Sequence, residues 1–167
     1  FLEISQEFLQ FLMQDYQPQE SDPPFLAELA HYEWVELALD TSVEVLPTAV
    51  EVEDILSSVV QLSPLAWSLC YQFPVHKIGP QFSPDEAREP TYLVAYRNRA
   101  DRVGFIELNA VTARLLELVR DNTSDTVDTL LAGLAAELGL PPEQIRAHGS
   151  EQLKQFSAEA VVLVSKP

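Results

Sequence analysis

A β-hairpin followed by three short helices dominates the second half of the sequence. Residues 91–97 (TYLVAYR) and 103–108 (VGFIEL) are rich in β-branched and aromatic side chains, and five mainly polar residues separate them. Asn109 is a typical helix cap, and apolar residues then recur at helical spacing in three successive stretches. Gly139 fits the left-handed position that ends the second stretch. This order is typical of a winged-helix-like module, which limits the chain to a small sheet packed on helices.

The residues before the hairpin predict two helices, a connector and one further strand. Helices are predicted over about 5–17 and 22–39, with Ser5 and Asp22 as caps. The fold class is therefore predicted as α+β, with the end of a helical N-terminal domain, a connector and a winged-helix-like module at 1–40, 41–64 and 65–167. In the module we expect strands 68–78, 91–97 and 103–108, helices 110–120, 125–138 and 142–156, and a strand at 160–164.

Charge is distributed very unevenly along the chain. The net charge is −16, and residues 1–76 contain thirteen Asp and Glu but no Lys or Arg. Nucleic-acid affinity comes mainly from basic side chains that neutralise phosphates, so binding through this half is disfavoured. The acidity either keeps the protein soluble or docks on a basic partner; the sequence leaves both open.

No catalytic or metal-binding pattern stands out. His31, His76 and His148 lie in unrelated segments, and Glu28 is the only acidic residue at helical spacing before His31. The single cysteine, Cys70, lies in an apolar stretch and is predicted to be a small core residue. We therefore predict a non-enzymatic chain without a cofactor. A weaker alternative is a subunit that completes another enzyme's metal site through His31 or His76.

The winged-helix-like pattern also raises DNA binding as an alternative function. Arg97, Arg99 and Arg102 form a basic hairpin tip that could enter a groove. The charged residues of helix 142–156 sum to zero, which is a poor match for a recognition helix. A DNA-binding transcription regulator therefore ranks second.

No run of eighteen apolar residues and no secretion signal are present, which predicts a cytoplasmic protein without a membrane span. Because Phe1 rather than Met begins the sequence, we expect it to belong to a longer or processed chain.

Two resemblances cover most of the chain. Residues 108–164, above all the turn at 122–131 (NTSDTVDTLL), resemble the PqqD-like peptide recognition domains. Residues 25–38 (FLAELAHYEWVELA), 62–67 (LSPLAW) and 73–78 (FPVHKI) resemble the HvfC family of peptide-modification accessory proteins, long labelled putative DNA-binding proteins. Members of that family usually have a longer helical N-terminal domain.

The resemblances imply two protein partners: a precursor peptide and the multinuclear iron oxygenase that modifies its cysteines. The oxygenase would carry the metal. In PqqD-like domains a leader peptide adds as a strand to a sheet edge beside the third helix. Carried over to this chain, this predicts peptide binding by Val103, Phe105, Glu107, Ile145, Leu153 and Phe156, although for Leu153 and Phe156 a place in the core is favoured over a peptide contact. We further expect His31, Trp34, Trp67 and His76 to contact a partner.

Overall fold

The computed structural model describes residues 2–165, without the side chain of Leu2, and confirms the α+β class. Within these residues the structure has five helices and five strands, with one short 3-10 helix at Val75–Lys77. Their bounds are α1 Leu2–Gln14, α2 Leu26–Asp40, β1 Val59–Leu62, β2 Ala66–Tyr71, β3 Thr91–Arg97, β4 Val103–Leu108, α3 Ala110–Asp121, α4 Val127–Leu138, α5 Pro142–Ala158 and β5 Val162–Ser165.

The ends of α3 and α4 are fixed by local side-chain and backbone chemistry. The Asn109 side chain accepts a hydrogen bond from the Thr112 amide at 2.8 Å, which confirms the predicted cap of α3. The Thr126 hydroxyl does the same for the Thr129 amide at the start of α4. Gly139 ends α4 with φ of 62°, as its position in the sequence predicted.

The main sheet has three antiparallel strands in the order β2-β3-β4, and helices cover both of its faces. Alternation along β3 sets the two faces. Leu93 and Ala95 point to clusters that include α2, whereas Val94 points to the largest core cluster, which includes α3, α4 and α5. The sheet is therefore the middle layer between α2 and the three C-terminal helices.

A second, two-stranded sheet is formed by β1 and β5, which pair antiparallel from Val59↔Ser165 to Leu62↔Val162. β1 lies inside the segment predicted as a connector. The predicted strand at 160–164 begins two residues too early, because Ala160 has φ of 58° and the Val161 amide still bonds to Phe156 at the end of α5.

The predicted strand 68–78 is shorter in the structure and ends at Tyr71. The next two amides, of Gln72 and Phe73, both donate at 2.9 Å to the Glu28 carboxylate on α2 instead of to a strand. Pro74 has no amide hydrogen, and the chain then enters the 3-10 helix. Glu28 thus ends β2 and holds α2 on the sheet.

The two N-terminal helices were predicted, but with wrong bounds. α1 is Leu2–Gln14 rather than 5–17, and α2 begins at Leu26 rather than after Asp22. The Asp22 carboxylate accepts from the Tyr16 hydroxyl at 2.6 Å and the Gln19 amide at 2.7 Å, so it closes the turn between the helices instead. No helix among residues 2–165 is long and apolar enough to cross a membrane.

Candidate functional site

The outer edge of β4 carries no strand partner. β4 pairs with β3 from Arg97↔Val103 to Tyr92↔Leu108, and within residues 2–165 no other strand pairs with it. An edge strand presents a row of unpaired amide and carbonyl groups. This edge is therefore a place where a further strand can add.

A groove of about 470 Å³ lies between α3 and α5 and opens next to the end of β4. Asn109, the residue after β4, is part of its wall. Its floor is apolar and its rim is polar. The buried side chains of Leu115, Leu134 and Ile145 form the floor, with half-buried Val111 and exposed Leu140 beside them, and the rim includes Gln144, His148, Glu151, Gln152 and Gln155.

The far end of α5 is tied to the β3–β4 hairpin. Glu159, the residue that ends α5, accepts from the Asn98 amide group at 3.2 Å and from the Tyr96 hydroxyl at 3.4 Å. Burial, and then the nearby Glu159 carboxylate, raise the pKa of Tyr96. α5 therefore lines the groove from Gln144 to Gln155, and the residue that follows it, Glu159, meets the hairpin.

The β4 residues predicted to bind a peptide point away from this groove. Val103 and Phe105 pack toward α2, where the Phe105 and Tyr32 rings are 4.4 Å apart between centroids. Glu107 lies on the same face. Ile106, on the opposite face, packs against the core that contains α5 and is the β4 side chain that sequence reasoning missed.

The predicted residues of α5 are mostly core. Leu153 and Phe156 are buried at 0% and 1% exposure, and only Ile145, at 8%, also lines the groove. The six predicted residues are thus not brought together on one surface. In the sequence, the groove residues Val111 and Leu115 belong to the apolar stripe of α3. Such a stripe does not distinguish a residue that faces the core from one that lines a groove.

The β2-to-α5 part of the chain also matches a known family. The family model described as HvfC C-terminal domain matches residues 63–157. The chain belongs to the HvfC C-terminal domain family. No curated protein matches it. The family supports an accessory-type protein, and the match contains β4, α3 and nearly all of α5, so the open edge and the groove both lie within the HvfC-family domain.

Three of the four residues predicted to contact a partner form one aromatic cluster between α2 and β2. The Trp34 and Trp67 rings lie 5.8 Å apart, and His31 lies 5.9 Å from Trp34. The His31 Nδ1 atom shares a hydrogen bond of 2.8 Å with the Tyr71 hydroxyl. Burial lowers the pKa of His31, partly offset by Glu28, and burial raises that of Tyr71. These side chains join the two halves of the HvfC-family chain.

His76, the fourth, lies apart from that cluster and pairs with Glu107. Its Nε2 atom is 3.1 Å from a Glu107 oxygen, and the Lys77 ammonium is 2.9 Å from the same carboxylate. Hydrogen bonds from Lys77 and then His76 lower the pKa of Glu107. The charge of Glu107, one of the residues predicted to bind a peptide, is already balanced by Lys77 inside the chain.

The three arginines proposed for DNA have different surroundings. Arg97 is buried, and its guanidinium donates to the carbonyls of residues 40, 42 and 44 at 3.0, 2.8 and 2.9 Å. Arg99 donates to the Pro47 carbonyl at 3.2 Å, and Arg102 is exposed on the hairpin turn. Burial withdraws Arg97 from any phosphate backbone, so the three do not form one basic hairpin tip.

Cys70 was predicted to be a core residue, and this is wrong. The side chain is exposed, on β2, which forms the other edge of the sheet. Among residues 2–165 no group of three or more His, Cys, Asp and Glu is placed to hold a metal ion.

Proposed function

We propose that this HvfC-family chain is a non-catalytic accessory protein of ribosomal peptide maturation that binds a precursor peptide. The peptide adds as a strand to β4 and places apolar side chains in the groove between α3 and α5. The observation that carries the proposal is the unpaired edge of β4 beside an apolar groove with a polar rim.

Strand addition separates affinity from specificity. Main-chain hydrogen bonds to an edge strand supply affinity for any extended segment, and pockets for alternate side chains select the sequence. A strand antiparallel to β4 would begin beside Leu108 and end beside Val103. Side chains on the Ile106 face would then point toward α5, and those near Leu108 would reach the groove.

The wider role rests on the family. The order of three strands, β2 to β4, followed by three helices, α3 to α5, is the one expected of a PqqD-like, winged-helix-like module and supports this proposal. We propose as the second partner the multinuclear iron oxygenase that modifies the peptide, with the metal and the chemistry in that enzyme. The chain would hold the peptide for it.

Hydrogen exchange and affinity measurements test the peptide site together. The probe is the precursor peptide encoded beside the gene of this chain, labelled with fluorescein. We expect the peptide to slow amide exchange in residues 103–108. Val111→Lys, which puts a charge into the groove, should weaken binding by about tenfold or more, because an unpaired charge in an apolar site is costly.

Leu138→Lys is the matched control, because Leu138 is an apolar residue, 38% exposed, on the α4 surface outside the groove. It should leave the affinity unchanged. Unaltered exchange in β4 with saturating peptide, or equal affinity of the two variants, would refute this mode of binding.

A further inference from the structure

Gly104 leaves a gap in the open edge strand, and the Tyr96 ring fills it. The two residues are paired across β3 and β4, on the face of the sheet that carries Ile106. A Cβ atom on Gly104 would come within 2.8 Å of the Cζ and hydroxyl oxygen atoms of Tyr96. The phenol end of the ring therefore lies over β4, the strand whose outer edge is unpaired.

The Tyr96 hydroxyl leads to a carboxylate that has no cation beside it. Glu159 follows α5 and is half-buried. It accepts from the Tyr96 hydroxyl at 3.4 Å and from the Asn98 side-chain amide at 3.2 Å, and both distances are long for hydrogen bonds to a carboxylate. Within residues 2–165 Glu159 forms no ion pair. A half-buried carboxylate with only weak neutral donors favours a further, charged donor.

The arginines of the hairpin do not neutralise Glu159. Arg97 points to the opposite face of the sheet, and both Arg97 and Arg99 donate to backbone carbonyls of the segment after α2. Burial and then Glu159 raise the pKa of Tyr96, and Arg102 opposes them. Arg102 nevertheless makes no ion pair with Glu159 in the described part of the chain. It lines a shallow pocket on the α2 side together with the acidic residues Glu33, Glu36 and Asp40.

A strand added to β4 would place one side chain at this spot. In a strand antiparallel to β4, the residue directly opposite Gly104 has its Cβ atom about 4.5–5.5 Å from the point where a Gly104 Cβ would be. Its side chain would leave the strand on the same face, beside the Tyr96 ring and next to Glu159. A lysine or arginine fits both neighbours, because its apolar stem can lie on the ring while its charged end meets the carboxylate.

We infer that Glu159 selects a basic side chain of the peptide at the position opposite Gly104. The inference rests on the proposed function and names the recognition chemistry of the same site. It also sets a spacing, because Leu108 and Gly104 lie four residues apart on one face of β4. In an antiparallel peptide the residue beside Leu108, which reaches the groove, comes first. The expected signature is an apolar residue and, four residues later, a lysine or arginine.

The test uses the full chain and the fluorescein-labelled precursor peptide encoded beside its gene. Glu159→Gln keeps the size of the side chain and an acceptor for Tyr96 and Asn98, so the fold is kept. We expect at least about fivefold weaker peptide binding, because a neutral contact replaces a charged pair. Wild-type affinity should also fall as salt is raised, and the affinity of Glu159→Gln should fall less.

A charge exchange identifies the peptide residue while most of the measurements leave the chain unaltered. Each lysine and arginine of the peptide is changed in turn to glutamate. Glu159→Lys should recover affinity for one of these peptides, the one whose basic residue lies opposite Gly104, and for no other. A series in which Glu159→Lys recovers affinity for none of the peptides, or for all of them alike, overturns the inference.

The matched control is Glu20→Gln, which removes the same charge from an exposed residue in the turn between α1 and α2. Equal peptide affinities of Glu159→Gln and Glu20→Gln would also overturn the inference. Amide exchange separates the two proposals. If the peptide protects residues 103–108 but Glu159→Gln binds it as the wild type does, the inference alone fails; if the peptide protects none of these residues, the proposed function fails too.

Discussion

Arg97 connects three parts of the molecule through one side chain. It lies at the end of β3 and is buried, and its donors go to backbone carbonyls rather than to a carboxylate. Its Nε atom is 3.8 Å from an Asp101 oxygen and makes no hydrogen bond within the described residues. A buried cation satisfied mainly by carbonyls holds the chain after α2 in a single path.

Removing this guanidinium should destabilise the protein. Arg97→Ala leaves three carbonyls without their donors, and hydrogen bonds to charged groups contribute about 1.5–3 kcal/mol each before water replaces them. Because water can replace the guanidinium at these carbonyls, we expect the free energy of unfolding to fall by about 2 kcal/mol in urea denaturation. Arg120→Ala, at an exposed arginine of α3, should change it by less than about 0.5 kcal/mol. Equal effects would contradict the structural role of Arg97.

His31 makes stability depend on pH near neutrality. Burial lowers its pKa from the ordinary 6.5, so the folded state favours the neutral ring. Its contribution is complete above the unfolded pKa and is lost as the pH falls through the lowered folded pKa. Between about pH 7.5 and 5.5 the wild-type free energy of unfolding should therefore fall more than that of His31→Gln, measured by urea denaturation at each pH.

The control for this pH series is His148→Gln, at an exposed histidine of α5. It should follow the wild-type pH curve. Parallel curves for the wild type and His31→Gln would show that the folded state does not depress the pKa of this ring.

At the scale of helices and strands, local pattern predicted most of the fold and missed what depends on distant partners. Neighbouring residues alone predict the hairpin at 91–108, the Asn109 cap and the helix end at Gly139, and the structure confirms all three. β1 is four residues long and exists because β5, a hundred residues later, pairs with it. No pattern among neighbouring residues predicts that these two strands pair.

The sequence predicted only part of the candidate site, for a similar reason. β4 has apolar side chains on both faces, with Val103 and Phe105 on one and Ile106 and Leu108 on the other. The alternation of side chains along β4 therefore could not predict which face of the strand meets α5. That choice depends on α2, which covers the face with Val103 and Phe105, and this is a tertiary contact.

Packing between α4 and α5 depends on a glycine. A Cβ atom at Gly149 would clash with the Leu131 side chain, which is 1% exposed and cannot move freely. Gly149→Ala should lower the free energy of unfolding by about 1–3 kcal/mol, although alanine favours helix. Gly133→Ala, inside α4 with open space around it, should raise it by up to about 1 kcal/mol. Thermal unfolding of both variants checks this, and stabilisation by both would contradict the close packing.

At the scale of the whole molecule, charge is balanced in one half only. The C-terminal helices pair their basic residues: Arg114 lies 2.8 Å from Glu117 and 2.7 Å from Glu137, and Arg146 lies 2.6 Å from Asp128. Residues 1–76 have thirteen acidic side chains and no basic ones of their own. The N-terminal half therefore repels itself.

Salt should relieve this repulsion. Raising NaCl from about 20 to about 300 mM shortens the screening length several-fold, so we expect the melting temperature to rise. A gain of about 1 kcal/mol corresponds to about 2–4 °C for a chain of this size. Choline chloride should give the same rise, because screening needs no particular cation. A flat or falling melting temperature would show that the exposed ion pairs of the C-terminal helices outweigh the acidic half.

The β1–β5 sheet has a consequence for biosynthesis. Val59 can find its partner Ser165 only after every intervening element has left the ribosome. Until then the backbone groups of β1 have no strand partner, and the apolar side chains of Val59 and Val60 are exposed. The three-stranded sheet, whose strands are close in sequence, can already form at that stage. The growing chain would pass through a stage in which chaperones, or another nascent copy, compete for that strand.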